Sequence, residues 1–276
     1  TGSGKTEIYM QMIAEVLARG EQAIVLLNRR GYSTFVMCRD CGQTITCPHC
    51  AVAMVYHSAN SDLRCHYCGN TAPIPTECPS CHSRRIKFFG TGTQKAEEQL
   101  ETLPEVRVLR MDQDSTVAKF AHENILSRFA SGERNVLIGT QMVTKGLDFD
   151  KVSVVGILNA DSMLNYPDFR AYEQAFMMMS QVAGRAGRKG HQGLVILQTK
   201  NTEVPVIGQV VAHNYTALYH DLVEERQLFR YPPFTHLVYV FLKHRYDATV
   251  ETAAIEMGSR LRQLFGARVL GPDKPA

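Results

Sequence analysis

All eight cysteines of this chain fall as four C-x-x-C pairs, Cys38/Cys41, Cys47/Cys50, Cys65/Cys68 and Cys78/Cys81. Two residues between thiolates make a tight knuckle that turns both sulfurs toward one tetrahedral Zn²⁺, and two knuckles complete a four-cysteine site. Four knuckles therefore specify two zinc ions per chain. A disulfide framework is the competing reading. Stapled scaffolds are far shorter than 276 residues, however, and no secretory signal is visible.

Which knuckles share a metal is a question of chain reversal. Pairing the first with the second leaves five residues, 42–46, to turn the chain round. Joining Cys47/Cys50 to Cys65/Cys68 leaves fourteen, close to the roughly 15–20 residues of a zinc ribbon. The first knuckle then closes with the last, giving Cys38, Cys41, Cys78 and Cys81 as one site and Cys47, Cys50, Cys65 and Cys68 as the other. A cross-braced pairing, first with third and second with fourth, is the alternative. His49, His66 and His82 stand beside cysteines, but four thiolates already fill each site, so they read as surface or supporting residues.

Charge limits what the rest of the surface can do. The formal net charge is +3, and two zinc ions with eight thiolates would carry it slightly below zero. Binding to nucleic acid must then rest on local basic clusters, of which Arg29 with Arg30, Arg84 to Lys87, and Arg185 to Lys189 are the candidates. No apolar run reaches transmembrane length; the composition reads as globular and soluble, and a cytoplasmic monomer without a membrane partner is expected.

Apolar periodicity gives the frame. Glu7 to Arg19 carries a helical period through Ile8, Met12, Ile13, Val16 and Leu17, with Gly20 placed as a C-cap. Ala23 to Leu27 and Val152 to Leu158 are continuous apolar runs suited to buried parallel strands. Further strands are expected at Lys87 to Phe89, Val106 to Met111, Val136 to Gly139 and Leu194 to Gln198. Helices are expected at Gln94 to Leu103, Val117 to Ala130 and Ala171 to Val182. Alternation of this kind predicts an α/β fold with a mostly parallel sheet covered on both faces. After Glu203 come two helical stretches, the punctuation Tyr231-Pro232-Pro233-Phe234, a strand over His236 to His244, a helix over Ala248 to Phe265 and a strand beginning at Val269.

Two further motifs carry chemistry. Thr1-Gly2-Ser3-Gly4-Lys5-Thr6 before a helix is the end of a P-loop. Its backbone N–H groups would cradle phosphates, with Lys5 on the β/γ-phosphates and Thr6 on Mg²⁺. Gln181 to Arg188 reads Q-V-A-G-R-A-G-R and supplies Arg185 and Arg188 as fingers for charge developing on a γ-phosphoryl. Phosphoryl transfer also needs an acidic pair, yet no Asp-Glu dipeptide occurs in the chain. Asp161, after the Val152 to Leu158 run, is the best substitute.

The order T-G-S-G-K-T, Leu27-Asn28-Arg29-Arg30-Gly31, four C-x-x-C, Gly90-Thr91-Gly92-Thr93, Gly139-Thr140-Gln141-Met142 with Lys145-Gly146, and Q-V-A-G-R-A-G-R resembles the primosomal protein N′ (PriA) family of replication-restart helicases. The resemblance implies a superfamily 2, ATP-dependent DNA helicase of 3′-to-5′ polarity that uses Mg²⁺, recognises abandoned forks and reloads the replication machinery. It implies nucleotide contacts at Gly2, Gly4, Lys5, Thr6, Gly146 and Asp148, and DNA contacts at Arg29, Arg30, Thr140, Gln141 and Lys145. Forked and single-stranded DNA, primosome proteins, single-stranded-DNA-binding protein and the replicative helicase loader are the implied partners, in a bacterial cytoplasm beside the nucleoid.

Under that resemblance residues 1–22 are a P-loop remnant and helix of a first RecA-like lobe. Residues 23–37 and 82–228 are the second RecA-like lobe, 38–81 an inserted two-zinc module, and 229–276 the start of a small α+β domain. Gly20-Glu21-Gln22 runs directly into the expected first strand of lobe two, so most of lobe one, with its D-E-x-H box, is missing between Arg19 and Ala23. Two readings follow: the helicase that the family implies, or a fragment that binds DNA and primosome proteins without turnover.

Overall fold

The computed structural model describes residues 5–27, 35–57, 61–89, 100–111, 121–140, 143, 149–187 and 193–273. They form two compact units. In the first, strands β1 (Gln22–Leu27), β7 (Val108–Met111), β8 (Val136–Gly139), β9 (Val152–Leu158) and β10 (Leu194–Leu197) make a five-stranded parallel sheet in the order β7-β8-β1-β9-β10. The central strand β1 is buried at all six positions, as its uninterrupted apolar run requires of a strand covered on both faces.

Helix α1 (Lys5–Ala18) closes one face: Tyr9, Ile13, Val16 and Leu17 share a core with Ala23, Val25 and Leu27 of β1, Val136 and Ile138 of β8, and Val154 and Leu158 of β9. The alternate residues Ile24, Leu26, Leu137, Val155 and Ile157 are equally buried on the other face. The end of α1 follows the Schellman pattern: Gly20, at φ 74°, donates its N–H to Leu17 O, and Glu21 donates to Val16 O. Gln22 is buried, and its side-chain amide donates to Phe129 O at 2.7 Å and Arg134 O at 3.0 Å. That pair of bonds fastens the start of β1 to the end of α2 (Ala121–Ala130) and to the turn between it and β8. Helices α3 (Asp161–Leu164) and α5 (Pro205–Val211), and α4 (Ala171–Ala183) from Tyr172 onward, also belong to this unit, whose last residue, Tyr215, is the first of α6 (Tyr215–Leu228).

The second unit holds an antiparallel sheet of short strands, β2 (Phe35–Cys38), β3 (Val55–His57), β4 (Asp62–Arg64), β5 (Thr71–Pro73) and β6 (Ile86–Phe89), in the order β5-β4-β3-β2-β6. The run at Lys87 to Phe89 is thus a strand, but it pairs with β2 rather than joining the parallel sheet. Helix α7 (Asp247–Phe265) lies near the C-terminus, as its pattern predicts. Two expected strands do not form. His236 to His244 has no regular secondary structure and no ladder partner among the described residues, and Val238 is 86% and Phe241 75% exposed. The segment at Val269 follows a 3-10 turn, Gly266–Arg268, and continues without strand pairing. The helix expected at Gln94 to Leu103 lies mostly outside the described residues. Among the described residues, no helix is long and apolar enough to cross a membrane.

Candidate metal centres and nucleic-acid edge

The four knuckles repeat one backbone design. In each, the residue after the second cysteine donates its N–H to the carbonyl of the first: Gly42 to Cys38, Ala51 to Cys47, Gly69 to Cys65 and His82 to Cys78, at 2.8–3.1 Å. In each, the first cysteine's N–H returns to the residue five places on, Gln43, Val52, Asn70 or Ser83, at 2.8–2.9 Å. The turn needs a left-handed residue after the second cysteine, and Gly42, Ala51, Gly69 and His82 all have φ between 56° and 76°. Folded this way, each knuckle faces both of its sulfurs to one side.

The knuckles then pair in the nested order. Sulfurs of Cys38, Cys41, Cys78 and Cys81 gather in one cluster and those of Cys47, Cys50, Cys65 and Cys68 in another, all within 4.8 Å in each. The cross-braced alternative is excluded. Sγ separations of 3.6 Å for Cys38–Cys81, 3.5 Å for Cys41–Cys78 and 3.7 Å for Cys47–Cys68 match the edge of about 3.8 Å that four sulfurs at about 2.3 Å from a tetrahedral Zn²⁺ must have. Within each cluster the thiols shift one another's ionisation. The bond from Cys50 pulls the Cys65 thiol down to about 5, while the same contact and burial push Cys50 far up. In the other cluster burial pushes Cys41 up to about 12. Four sulfurs this close cannot all be thiolates unless a cation sits between them. The donor set fits zinc, and the chemistry zinc supplies here is structural: four thiolates fill its coordination.

The histidines stay outside both clusters. His49 is exposed. His82 lies 3.8 Å from Glu77. His66 Nε2 meets His57 Nε2 at 3.2 Å, with Asp273 3.7 Å from His66 Nδ1.

An aromatic group that sequence reading missed covers the inner cluster. Tyr231 is buried in the same core as Cys47, Cys50 and Cys65, and its hydroxyl donates to Cys50 O at 2.8 Å. Phe169 stacks on Tyr231 at 4.6 Å between ring centres, and Tyr67 meets both rings edge-on. The guanidinium groups of Arg170 and Arg226 lie over the Phe169 ring at 5.4 and 5.3 Å. The available signal was Tyr231-Pro232-Pro233-Phe234, whose first residue is an anchor as well as a break.

Thr140 directly follows β8, its N–H donating to Met111 O and its carbonyl accepting from Val143. Strand β8 pairs with β1 in parallel with Gly139 opposite Leu26. Leu27, the last residue of β1, and Thr140 therefore lie at the same carboxyl end of the sheet; in sequence Arg29 and Arg30 come next after Leu27 and Asn28. Gly139 is needed there because a Cβ would stand 2.3 Å from Met111 O. The segment with Arg185 lies elsewhere. Gly187 donates to Val152 O at the start of β9, and β9 runs parallel to β1 and β8, so this is the opposite edge. A Cβ on Gly193 would come within 2.2 Å of the Ala186 backbone, so only glycine lets β10 begin against this turn. Asp161 proves structural: it is buried, accepting from Thr199 Oγ1 at 2.8 Å and from the Lys200 N–H at 2.9 Å. Among the basic clusters, Arg85 is engaged by Asp40 at 2.6 Å. Gly2, Gly4, Arg29, Arg30, Gln141, Lys145, Gly146, Asp148 and Arg188 lie outside the described residues, as do the side chains of Lys5 and Thr6.

The family model for the PriA DNA helicase Cys-rich region matches residues 47–73, and the model for the helicase conserved C-terminal domain matches residues 79–190. The chain is 46% identical over 267 residues to the replication restart protein PriA of Bacillus subtilis, covering 96% of this chain and 33% of that protein. It is 36% identical over 273 residues to PriA of Haemophilus influenzae, covering 98% of this chain and 37% of that one. The chain thus spans about a third of the length of the curated relatives it matches. Among solved structures it is similar to the Pyrococcus furiosus Hef helicase domain, at 18% identity and a TM-score of 0.35 over 78% of this chain and 29% of that one.

Proposed function

For a chain that belongs to the PriA family of replication restart proteins, we propose that it forms the second RecA-like lobe and zinc module of an ATP-driven, 3′-to-5′ DNA helicase acting at stalled forks. By itself it binds DNA through that lobe and does not turn over ATP. The observation that supports this reading is the parallel, in-register pairing of β1 with β8, because in sequence Arg29 and Arg30 follow the carboxyl end of β1, and Gln141 and Lys145 follow that of β8. Ligands of open parallel sheets sit at the carboxyl ends of the strands.

The division proposed is lobe two over 23–37 and 82–228, the zinc module over 38–81, and a further domain from 229, with the flanking strands β2 and β6 pairing in the antiparallel sheet that holds the knuckles rather than in the parallel one. The shared core of α1 with β1, β8 and β9 supports counting helix 5–18 with lobe two in this chain. Gly2, Gly4, Lys5, Thr6, Gly146 and Asp148 would bind ATP with Mg²⁺, and Arg185 with Arg188 would neutralise the γ-phosphoryl in the whole enzyme. The zinc module would meet primosome proteins, single-stranded-DNA-binding protein and the helicase loader in the bacterial cytoplasm. Silence toward ATP is supported by the burial and internal hydrogen bonds of Asp161, which leave that acid engaged within the fold. Phosphoryl transfer needs an acid free to hold Mg²⁺.

The test is single-stranded DNA binding at several salt concentrations with phosphate release in parallel. Lys145→Ala and Arg30→Ala should each weaken binding and flatten its salt dependence, with phosphate release at background. Unchanged binding in both variants sinks the edge assignment. DNA-stimulated turnover that vanishes in Lys5→Ala sinks the inactive reading.

A further inference from the structure

The two sulfur clusters differ in how open they are. In the outer one Cys81 is exposed and Cys41 half-buried, whereas three of the four inner cysteines are buried and only Cys68 is half-buried. The inner cluster also has cover: Tyr231 bonded to Cys50 O, and Asn70 Nδ2 at 3.9 Å from Cys47 Sγ. Sulfur oxidation follows thiolate character and access. A zinc-held sulfur is already a thiolate, so access decides between the sites. Resting on the two-zinc reading, we infer that the outer cluster is a hydroperoxide-reactive site, with Cys81 the point of attack and Cys38 the resolving thiolate.

The steps balance. Cys81 Sγ attacks one oxygen of hydrogen peroxide; the S–O bond forms as the O–O bond breaks, giving a sulfenic acid and hydroxide. Cys38 Sγ, 3.6 Å away, attacks the Cys81 sulfur; the S–S bond forms, the S–O bond breaks and a second hydroxide leaves. Both hydroxides take protons from solvent and become water. Each thiolate gives up one electron and the peroxide accepts two. Cys41 and Cys78 alone are too few ligands to keep Zn²⁺, so the metal departs. The inner cluster, lacking an exposed sulfur, reacts later.

The experiment starts from protein whose zinc content has been measured. A value other than two per chain would remove the underlying reading rather than this one. Hydrogen peroxide is added with a chromophoric chelator, and disulfides are mapped by mass spectrometry after alkylation. One zinc should leave about tenfold faster than the other, with Cys38 linked to Cys81 and the inner thiols still alkylated. Cys81→His, which keeps a three-cysteine, one-histidine ligand set, should retain both zincs and slow the first release about tenfold. Release of both at one rate, loss of the inner zinc first, or absence of the Cys38–Cys81 link overturns the inference, as does an unchanged rate in Cys81→His. If that variant does not hold two zincs, mapping of the wild-type protein decides.

Discussion

Ala51 and His82 sit in the left-handed position that glycine fills in the other two knuckles, at φ of 56° and 58°. A side chain there costs about 1–2 kcal/mol, partly offset by the roughly 0.5–1 kcal/mol of extra freedom glycine loses on folding. Ala51→Gly is therefore expected to raise stability by about 0.5–1 kcal/mol. Gly69→Ala should lower it by a similar amount, and because a Cβ on Gly69 meets nothing within 4 Å, the loss is purely conformational. Urea midpoints measured with zinc bound check both, and equal midpoints for the two variants would refute the shared-turn argument. The same residues mark how much was legible. The C-x-x-C spacing predicted the knuckles and favoured the nested pairing, but nothing in the spacing reveals that only Gly42 and Gly69 relieve the turn. Asp161 was misread for a related reason: an acid after an apolar strand looks alike whether it faces a ligand or, as here, Thr199 and Lys200.

At the scale of elements, strands buried on both faces were easiest to foresee. β1 and β9 carry apolar runs that tolerate no other placement, and α1 and α4 show their period. The antiparallel strands β2 to β5 escaped notice because three or four residues within a cysteine-rich stretch carry too little alternation. His236 to His244 shows the reverse error. Its β-branched and aromatic residues look like a strand, yet a strand also requires a neighbour, and none is found among the described residues. Phe169 and Tyr231, stacked from distant parts of the chain, could be joined only by the fold. Gly139 offers a test of sheet packing. Placing a Cβ 2.3 Å from Met111 O and 2.6 Å from Val143 Cγ1 must push β7 away from β8, so Gly139→Ala should cost about 1–3 kcal/mol. Faster hydrogen exchange at Leu109 and Met111 than at β9 would locate the damage; an unaltered unfolding midpoint would show that the edge strand yields freely.

For the molecule as a whole, the two units owe their stability to different sources. The parallel sheet has a conventional apolar core, with residues from α1, β1, β8 and β9 removed from water together. The antiparallel unit counts Cys47, Cys50 and Cys65 among its own core residues, beside Val36, Val52, Met54, Leu63 and Tyr231. Its strands are three or four residues long, too short to be stable without a packed face or a staple. In such small modules metal binding is folding free energy, of the order of 10 kcal/mol per structural zinc. Removing zinc leaves four sulfurs within 4.8 Å of one another in each cluster, and they must then protonate or move apart. A strong chelator at neutral pH should therefore melt the antiparallel unit while the parallel sheet persists. Hydrogen exchange distinguishes the two: amides of Val36, Cys47, Leu63 and Cys65 should lose protection, and those of Ile24, Val25, Val155 and Ile157 should keep it. Simultaneous loss in both sets would mean that the units fold as one. Retained protection in the first set would mean that the apolar residues of the ribbon suffice without metal.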